Sequence, residues 1–261
     1  PVKENLLFTA AENGIYVSLN GGTSWQKLPG TPTISFRDLT IQKRENDLVA
    51  ASFGRGFYVL DDYSALREFT SDNLDKEGKL FQPRPAKWFV QRSNVGNTGA
   101  DYYFAKNPEY GAVFTYYLSS EYTTKKAIRQ KQEKELNKAN KNVPFPGWDV
   151  LDAEKQEMPA QVILMIQDKD GNVINKVKQK ASRGSHRIAW NLEHFNPFAI
   201  SLNGRSRRGG GAMATPGTYQ ASLHLENNGE VTKLDGPILF EVKPIRKGVL
   251  KGATYAEYNA F

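Results

Sequence analysis

Ser18-Leu19-Asn20-Gly21-Gly22-Thr23-Ser24-Trp25 is the stretch on which the reading of this chain turns. Its spacing is Ser-x-Asn-x-Gly-x-Ser-Trp, short polar side chains set through a glycine-rich turn. The Asn20 side chain can accept backbone N–H groups across that turn, and Gly22 supplies a positive φ at no steric cost. Ser18 and Ser24 add local hydroxyl bonds, and Trp25 is expected to fold back and lie buried against a neighbouring strand. The stretch therefore predicts a hairpin with its own internal wiring. It stabilises; it does no chemistry.

Short strands flank the hairpin on both sides. Leu6-Leu7-Phe8-Thr9-Ala10 reads as a strand and Glu12-Asn13-Gly14 as a tight turn. Gly14-Ile15-Tyr16-Val17-Ser18 returns into the hairpin, and Trp25-Gln26-Lys27-Leu28 leaves it. After Pro29-Gly30-Thr31-Pro32 the pattern starts again. Phe36–Gln42, Leu48-Val49-Ala50-Ala51-Ser52-Phe53 and Phe57-Tyr58-Val59-Leu60-Asp61-Asp62 are separated by Asn and Gly turns. A meander that repeats at regular spacing is the pattern of stacked units, each stable only against its neighbours.

The Ser18–Trp25 spacing is a close variant of the Asp-box. Together with Ser52-Phe53-Gly54-Arg55-Gly56-Phe57-Tyr58-Val59-Leu60-Asp61-Asp62, it resembles the last blades of the sortilin-like, Asp-box (BNR) repeat β-propellers. These occur in large bacterial proteins often labelled glycosyl hydrolases, a label that follows a repeat shared with sialidases and xyloglucanases. The resemblance covers about the first quarter of the chain and makes Ser18, Asn20, Gly22, Ser24 and Trp25 the structural Asp-box. A propeller closes with about four to eight blades. Residues 1–80 supply fewer than two, so the remaining blades are expected from the same protein or from a second chain.

Leu80-Phe81-Gln82-Pro83-Arg84-Pro85-Ala86 reads as a Pro-rich linker, and residues 81–250 as a second all-β domain. Lys87-Trp88-Phe89-Val90-Gln91 is its expected first strand. Ala112, Phe114, Tyr116 and Leu118 share one face of a long strand, as do His186, Ile188, Trp190 and Leu192, and Tyr219, Ala221, Leu223 and Leu225. Gln161–Gln167 is a strongly apolar strand, and Ile238, Phe240 and Val242 close the set. Short alternating strands in this number point to an Ig-like β-sandwich. Gly184-Ser185-His186-Arg187-Ile188-Ala189-Trp190-Asn191 and Thr215-Pro216-Gly217-Thr218-Tyr219-Gln220-Ala221 resemble the fibronectin-III-like domain of flagellar hook-capping proteins. That domain follows the propeller in the same bacterial family. Residues 119–158 interrupt the strands. Their Lys- and Glu-rich middle, 124–141, predicts a solvated helix touching the body along a thin seam of Ala127, Ile128, Leu136 and Ala139. Residues 251–261 read as the start of a helix cut short. With no Met or signal peptide at Pro1, the reading expects a segment of a longer protein.

Composition fits a folded β protein: 39% hydrophobic, 24% charged and 11% aromatic residues. No apolar run is long enough to span a bilayer as a helix. The net charge of +7 is dispersed, apart from 125–141 and Arg205–Arg208, and no nucleic-acid stripe emerges. The absence of cysteine removes disulfides and thiolate metal sites.

The candidate chemistry is thin. Glycosidic hydrolysis needs two carboxylates converging on one bond. Asp61 and Asp62, read as strand neighbours, diverge and take a structural role. Asp38, near the start of the expected innermost strand, and Arg55, between two glycines, are the candidate ligand-facing residues. Asp168-x-Asp170-Gly171-Asn172 has its glycine in the fourth place, not the sixth of a calcium loop, and reads as a hairpin. His186, His194 and His224 lack ligand spacing, so neither a metal nor a cofactor is expected. The Arg205–Gly211 loop lacks the strand–loop–helix setting of a phosphate loop. Tyr102-Tyr103-Phe104 is read as packing rather than a sugar platform. The expectation is thus an all-β, non-catalytic structural or interaction segment of a large exported bacterial protein, with a protein or glycan ligand and no nucleic acid. Two alternatives stand beside it: part of a glycoside hydrolase whose carboxylates lie in absent blades, and a scaffold subunit of a cell-surface or secretion-associated complex.

Overall fold

A computed structural model describes residues 2–91, 105–196, 211–246, 252–255 and 257 of the 261. The chain is all-β with few helices, and it divides into two compact units. The first is Pro1–Asp75 with Lys106–Pro108; the second is Lys76–Ala105 with Glu109–Phe261.

The first unit is built from two three-stranded antiparallel sheets. β1 (Leu7–Ala11), β2 (Gly14–Ser18) and β3 (Gln26–Lys27) form one, in that order. β4 (Phe36–Gln42), β5 (Asp47–Ser52) and β6 (Phe57–Leu60) form the other. Alternation puts Ile15 and Val17 of β2 and Leu48 and Ala50 of β5 into one small core with Leu28, Phe36 and Tyr63. Edge-to-face ring pairs, Phe8–Tyr63 at 5.1 Å and Phe36–Tyr58 at 5.4 Å, fix its geometry. A 3-10 helix (Tyr63–Glu68) and the one-turn α1 (Ser71–Leu74) complete the unit.

The second unit begins earlier than the Pro-rich stretch suggests. β7 (Gly78–Leu80) pairs with β9 (Ala112–Leu118), and Leu80 and Phe81 are fully buried. Residues 80–86 are therefore part of the second unit's packing and not a linker, because their apolar members have a core to enter. The expected strand at 87–91 is shorter and earlier: β8 (Ala86–Trp88). The insertion carries α2 (Lys125–Lys138) and α3 (Trp148–Gln156). β10 (Gln161–Gln167), β11 (Val173–Lys180), β12 (Gly184–Trp190), β13 (Gly217–Asn227) and β14 (Glu230–Pro244) follow.

These strands make a five-stranded sheet, β11-β10-β13-β14-β8, and a three-stranded one, β12-β9-β7. All pairings are antiparallel except β14 with β8. The alternating residues read from the sequence line a common core: Phe114, Tyr116 and Leu118 of β9, Ile188 and Trp190 of β12, Leu223 and Leu225 of β13, Phe240 and Val242 of β14. Rings meet edge-on across it, with Phe114–Phe240 at 5.0 Å and Trp190–Tyr219 at 5.4 Å. Gly111 is dictated by close approach: at φ +106° its added Cβ would stand 1.9 Å from the Trp190 carbonyl oxygen.

Candidate interaction surface

The wiring expected of the Ser18–Trp25 hairpin is present. Ser18 is fully buried, and its Oγ accepts from the Gly22 amide at 2.8 Å while donating to Asn20 Oδ1 at 3.0 Å. Asn20 Oδ1 also accepts from the Ser24 amide at 2.9 Å, and its Nδ2 donates to Ser24 Oγ at 2.8 Å. Gly21 and Gly22 supply the left-handed φ values, +68° and +95°. The Asn20, Ser18 and Ser24 side chains are thus bonded within the turn itself, while the Gly21 amide ties it to the Asn5 carbonyl at 2.9 Å. Trp25 departs from expectation: it is 42% exposed. β3 is only two residues long and follows Trp25, so no strand carries the indole into the core.

Three of the unit's most exposed apolar side chains lie on or next to the second sheet. Register pairs Leu48 with Leu60 and Ala50 with Tyr58, all four turned to the core side. The opposite row is Val49 with Val59 and Ala51 with Phe57, joined on β4 by Thr40 and Asp38. Phe57 is 77% exposed, Val59 53%, and Phe53, just past β5, 69%. The Arg37 guanidinium sits 5.2 Å from the centre of the Phe53 ring and covers part of it. Arg55 lies exposed at the tip of the β5–β6 turn, between Gly54 and Gly56 at φ +73° and +76°. Asp38 is exposed on β4 beside a bulge. The structure brings Asp38 and Arg55 to the same sheet, and it places them around an apolar face.

Asp61 and Asp62 are not strand neighbours, because β6 ends at Leu60. Asp62 caps the 3-10 helix, its side chain accepting from the Ser64 amide at 3.2 Å, and its own amide donates to Asp47 Oδ1 at 2.9 Å. Both contacts of Asp62 are structural, and the geometry behind them is a helix cap and a tie to β5.

In the second unit Asp168 and Asp235 are likewise engaged. Asp168 Oδ1 accepts from the amides of Asp170 and Asn172 at 2.9 and 2.8 Å. Burial opposes its ionisation, and these hydrogen bonds outweigh that and hold its pKa below the usual carboxylate value. The Asp168–Asn172 segment is a side-chain-wired hairpin. Asp235 accepts from the amides of Leu80 and Gly236, each at 2.8 Å, and pairs with Lys79 at 2.9 Å. His186 packs on Tyr116, and His224 meets Ser222 Oγ at 2.9 Å. Burial, with Lys233 and Lys176 nearby, keeps His224 below its usual pKa. Among the described residues no group of three or more His, Asp or Glu side chains is placed to hold a metal ion.

The insertion is held differently from the expected apolar seam. No α2 residue is buried. Arg129 instead forks onto both Glu154 oxygens, at 2.7 and 2.8 Å, and reaches Glu133 on its own helix. Those bonds draw the Glu154 pKa down. Thr124 and Glu157 cap α2 by accepting from the Ala127 and Lys125 amides. Phe145 and Trp148 stay exposed, edge-to-face with each other at 5.2 Å.

Sequence reasoning read β6 as a strand and missed its two-sided apolar character. The signal was available, since Phe57-Tyr58-Val59-Leu60 does not alternate. A strand apolar on both faces is one that expects cover on both. Tyr102–Phe104 and Arg205–Arg208 lie outside the described residues. No described helix is long and apolar enough to cross a membrane. Comparison with known proteins returns no matching family model, no similar curated protein and no similar solved structure.

Proposed function

We propose that this chain is a non-catalytic structural and interaction segment of a larger exported bacterial protein. In this reading residues 1–75 are terminal β-propeller blades of the Asp-box type, and the second unit is an Ig-like sandwich with a helical insertion. The observation that carries the reading is the exposed outer face of β4–β5–β6, with Phe53, Phe57 and Val59 standing in a polar surround. Exposed apolar clusters of this kind mark surfaces that another body covers. The carboxylates speak in the same direction. Asp62, Asp168 and Asp235 hold backbone amides, and Asp47, the acid that shares the sheet of Asp38, accepts from the Asp62 amide.

The test is hydrolysis by the full-length parent on a panel of glycans, repeated with Asp38→Asn, Asp61→Asn and Asp62→Asn. Turnover is expected to be the same in all four proteins, whatever its level. A thousandfold fall in one stable variant, about 4 kcal/mol of transition-state stabilisation, would make this a catalytic blade.

A further inference from the structure

The outward face of the five-stranded sheet gathers positive charge across four strands. Val162, Leu164 and Ile166 of β10 enter the core, so Gln161, Ile163 and Met165 face out. The register then turns Lys176, Lys178 and Lys180 of β11 outward, with Ser222, His224 and Glu226 of β13. Lys233 of β14 lies opposite His224. One cross-strand row therefore reads Lys178, Ile163, His224, Lys233, and Lys176 and Lys180 stand two residues to either side along β11. The four lysines are exposed, whereas Ile163 is only 4% exposed, so its neighbours on the face close over it. These residues are scattered in the sequence, and the strand pairing brings them together.

The acid among these positions is Glu226, which takes Lys178 at 2.6 Å. Among the described residues no acid pairs with Lys176, Lys180 or Lys233. His224 is half-buried between them, and the depression of its pKa comes from burial first, then from Lys233 and Lys176. Lysines from two different strands thus act on one imidazole. Edge strands are commonly blunted by lysine, which accounts for β11. It does not account for Lys233, three strands away, or for a histidine set between the two.

Unpaired ammonium groups around an imidazole suit an oxyanion. Protein interfaces favour aromatic residues and Arg and disfavour Lys, and single-stranded nucleic acids stack on aromatic rings. None of these outward positions holds Arg, Tyr, Trp or Phe. Lys176, Lys178 and Lys180 instead repeat at about 7 Å along the strand, as point charges on flexible stems. We infer that this face binds a phosphate-bearing glycan, with a phosphate monoester seated among Lys176, His224 and Lys233. The site lies wholly within the second unit, so it stands apart from the apolar face of β4–β6.

At pH 7 a phosphate monoester carries about −1.5 to −2 charges and favours the imidazolium form of His224. The Ser222 hydroxyl, 2.9 Å from Nε2, can then accept from it while Nδ1–H donates to the phosphate. The other groups facing this ring are Lys176 and Lys178 of β11, Lys233 of β14 and Glu226 of its own strand; β10 brings none that titrates.

The probe is maltopentaose 6-phosphate, titrated into the intact chain and followed by the NMR signals of the His224 ring. Saturable shifts are expected, with a rise in the His224 pKa at saturation. Lys176→Gln and Lys233→Gln should each weaken binding about threefold, the size of an exposed ion pair, and Lys131→Gln on α2 should leave it unchanged. These lysines are exposed, and a melt of each variant checks that it folds. Unphosphorylated maltopentaose should not bind. No saturable shift at millimolar sugar phosphate, or a shift that survives loss of both Lys176 and Lys233, would overturn the inference. So would tighter binding of a phosphoserine pentapeptide, since the occupant would then be a polypeptide. The interaction reading of the chain fails by a different readout, the loss of glycan turnover in the Asp→Asn variants.

Discussion

Trp25 and Trp190 are both tryptophans at the end of a patterned stretch, yet the structure assigns them different energetic weight. Trp190 is fully buried, edge-on to Tyr219 at 5.4 Å and Phe240 at 6.1 Å. Its Nε1 donates to the Glu193 carbonyl at 2.8 Å, and that carbonyl also accepts from Asn175 Nδ2 at 2.7 Å. Trp190→Ala therefore leaves the carbonyl with a partner, and the loss is mainly transfer free energy plus the cavity. That is about 3–5 kcal/mol for a large aromatic. At about 2–4 °C per kcal/mol for a chain of this size, the melt of the second unit should fall by roughly 6–20 °C. Trp25→Ala removes a ring already 42% exposed, and about 1–2 kcal/mol is expected in the first unit. The assay is urea and thermal denaturation of both variants, followed by far-UV circular dichroism. Equal shifts, or a Trp190→Ala cost under about 1 kcal/mol, would refute the packing account.

Three further substitutions probe other parts of the second unit. The Tyr116 hydroxyl is buried without a hydrogen-bond partner among the described residues, and burial pushes its pKa up to about 12. Tyr116→Phe should cost nothing and add up to about 1 kcal/mol to stability; a loss of that size in a chemical melt would reveal a partner. Gly111→Ala must fit a Cβ at φ +106° against the Trp190 carbonyl and should cost at least about 2 kcal/mol, read as a drop in Tm. Asp235 ionises below its usual 3.8, because the bonds from Leu80, Lys79 and Gly236 outweigh the burial that opposes its charge. A depressed carboxylate pKa adds stability above the unfolded value and loses it as pH falls through the folded one. Asp235→Asn should thus cost about 1–2 kcal/mol at pH 7, and the difference from the unchanged protein should shrink below about pH 4 in urea titrations.

The fold of the second unit was legible because its strands are sided. Ala112, Phe114, Tyr116 and Leu118 alternate with half-exposed Val113, Thr115 and Tyr117, and a period of two leaves one choice of inner face. Where periodicity is short or absent, tertiary context decided. Leu80 and Phe81 precede Pro83 and Pro85, and two prolines in five residues read as a linker. Yet the β7 pairing with β9 gives them a core, and proline is tolerated just beyond a strand end. The insertion erred in the opposite direction. Its few apolar residues suggested a seam, while Arg129 and Glu154, separated by twenty-five positions, fix the helices through an ion pair that no local pattern announces.

The candidate site divides along the same line. A turn closed by residues two to four positions apart carries its geometry in its own spacing, so the kind of wiring at Ser18–Ser24, Asn20 accepting a backbone amide and the two serines adding hydroxyl bonds, was legible in the sequence. Trp25 could not, because its burial depends on what packs against the hairpin and not on the hairpin. The same reasoning applies to β6. Its hydrogen bonds to β5 follow from a two-glycine turn, and alternation then fixes that Phe57 and Val59 face outward in both backbone and side chain. What alternation does not explain is why those outward positions are phenylalanine and valine. Polar residues there would satisfy the β5 pairing equally well and would suit an exposed face better. Leaving Phe57 and Val59 in water forgoes about 1.5–3 kcal/mol for each side chain that cover would supply. The core side of β6, where Tyr58 and Leu60 meet Phe36 and Leu48, has no use for them. Their chemistry is accounted for when something outside the described sheet lies against it.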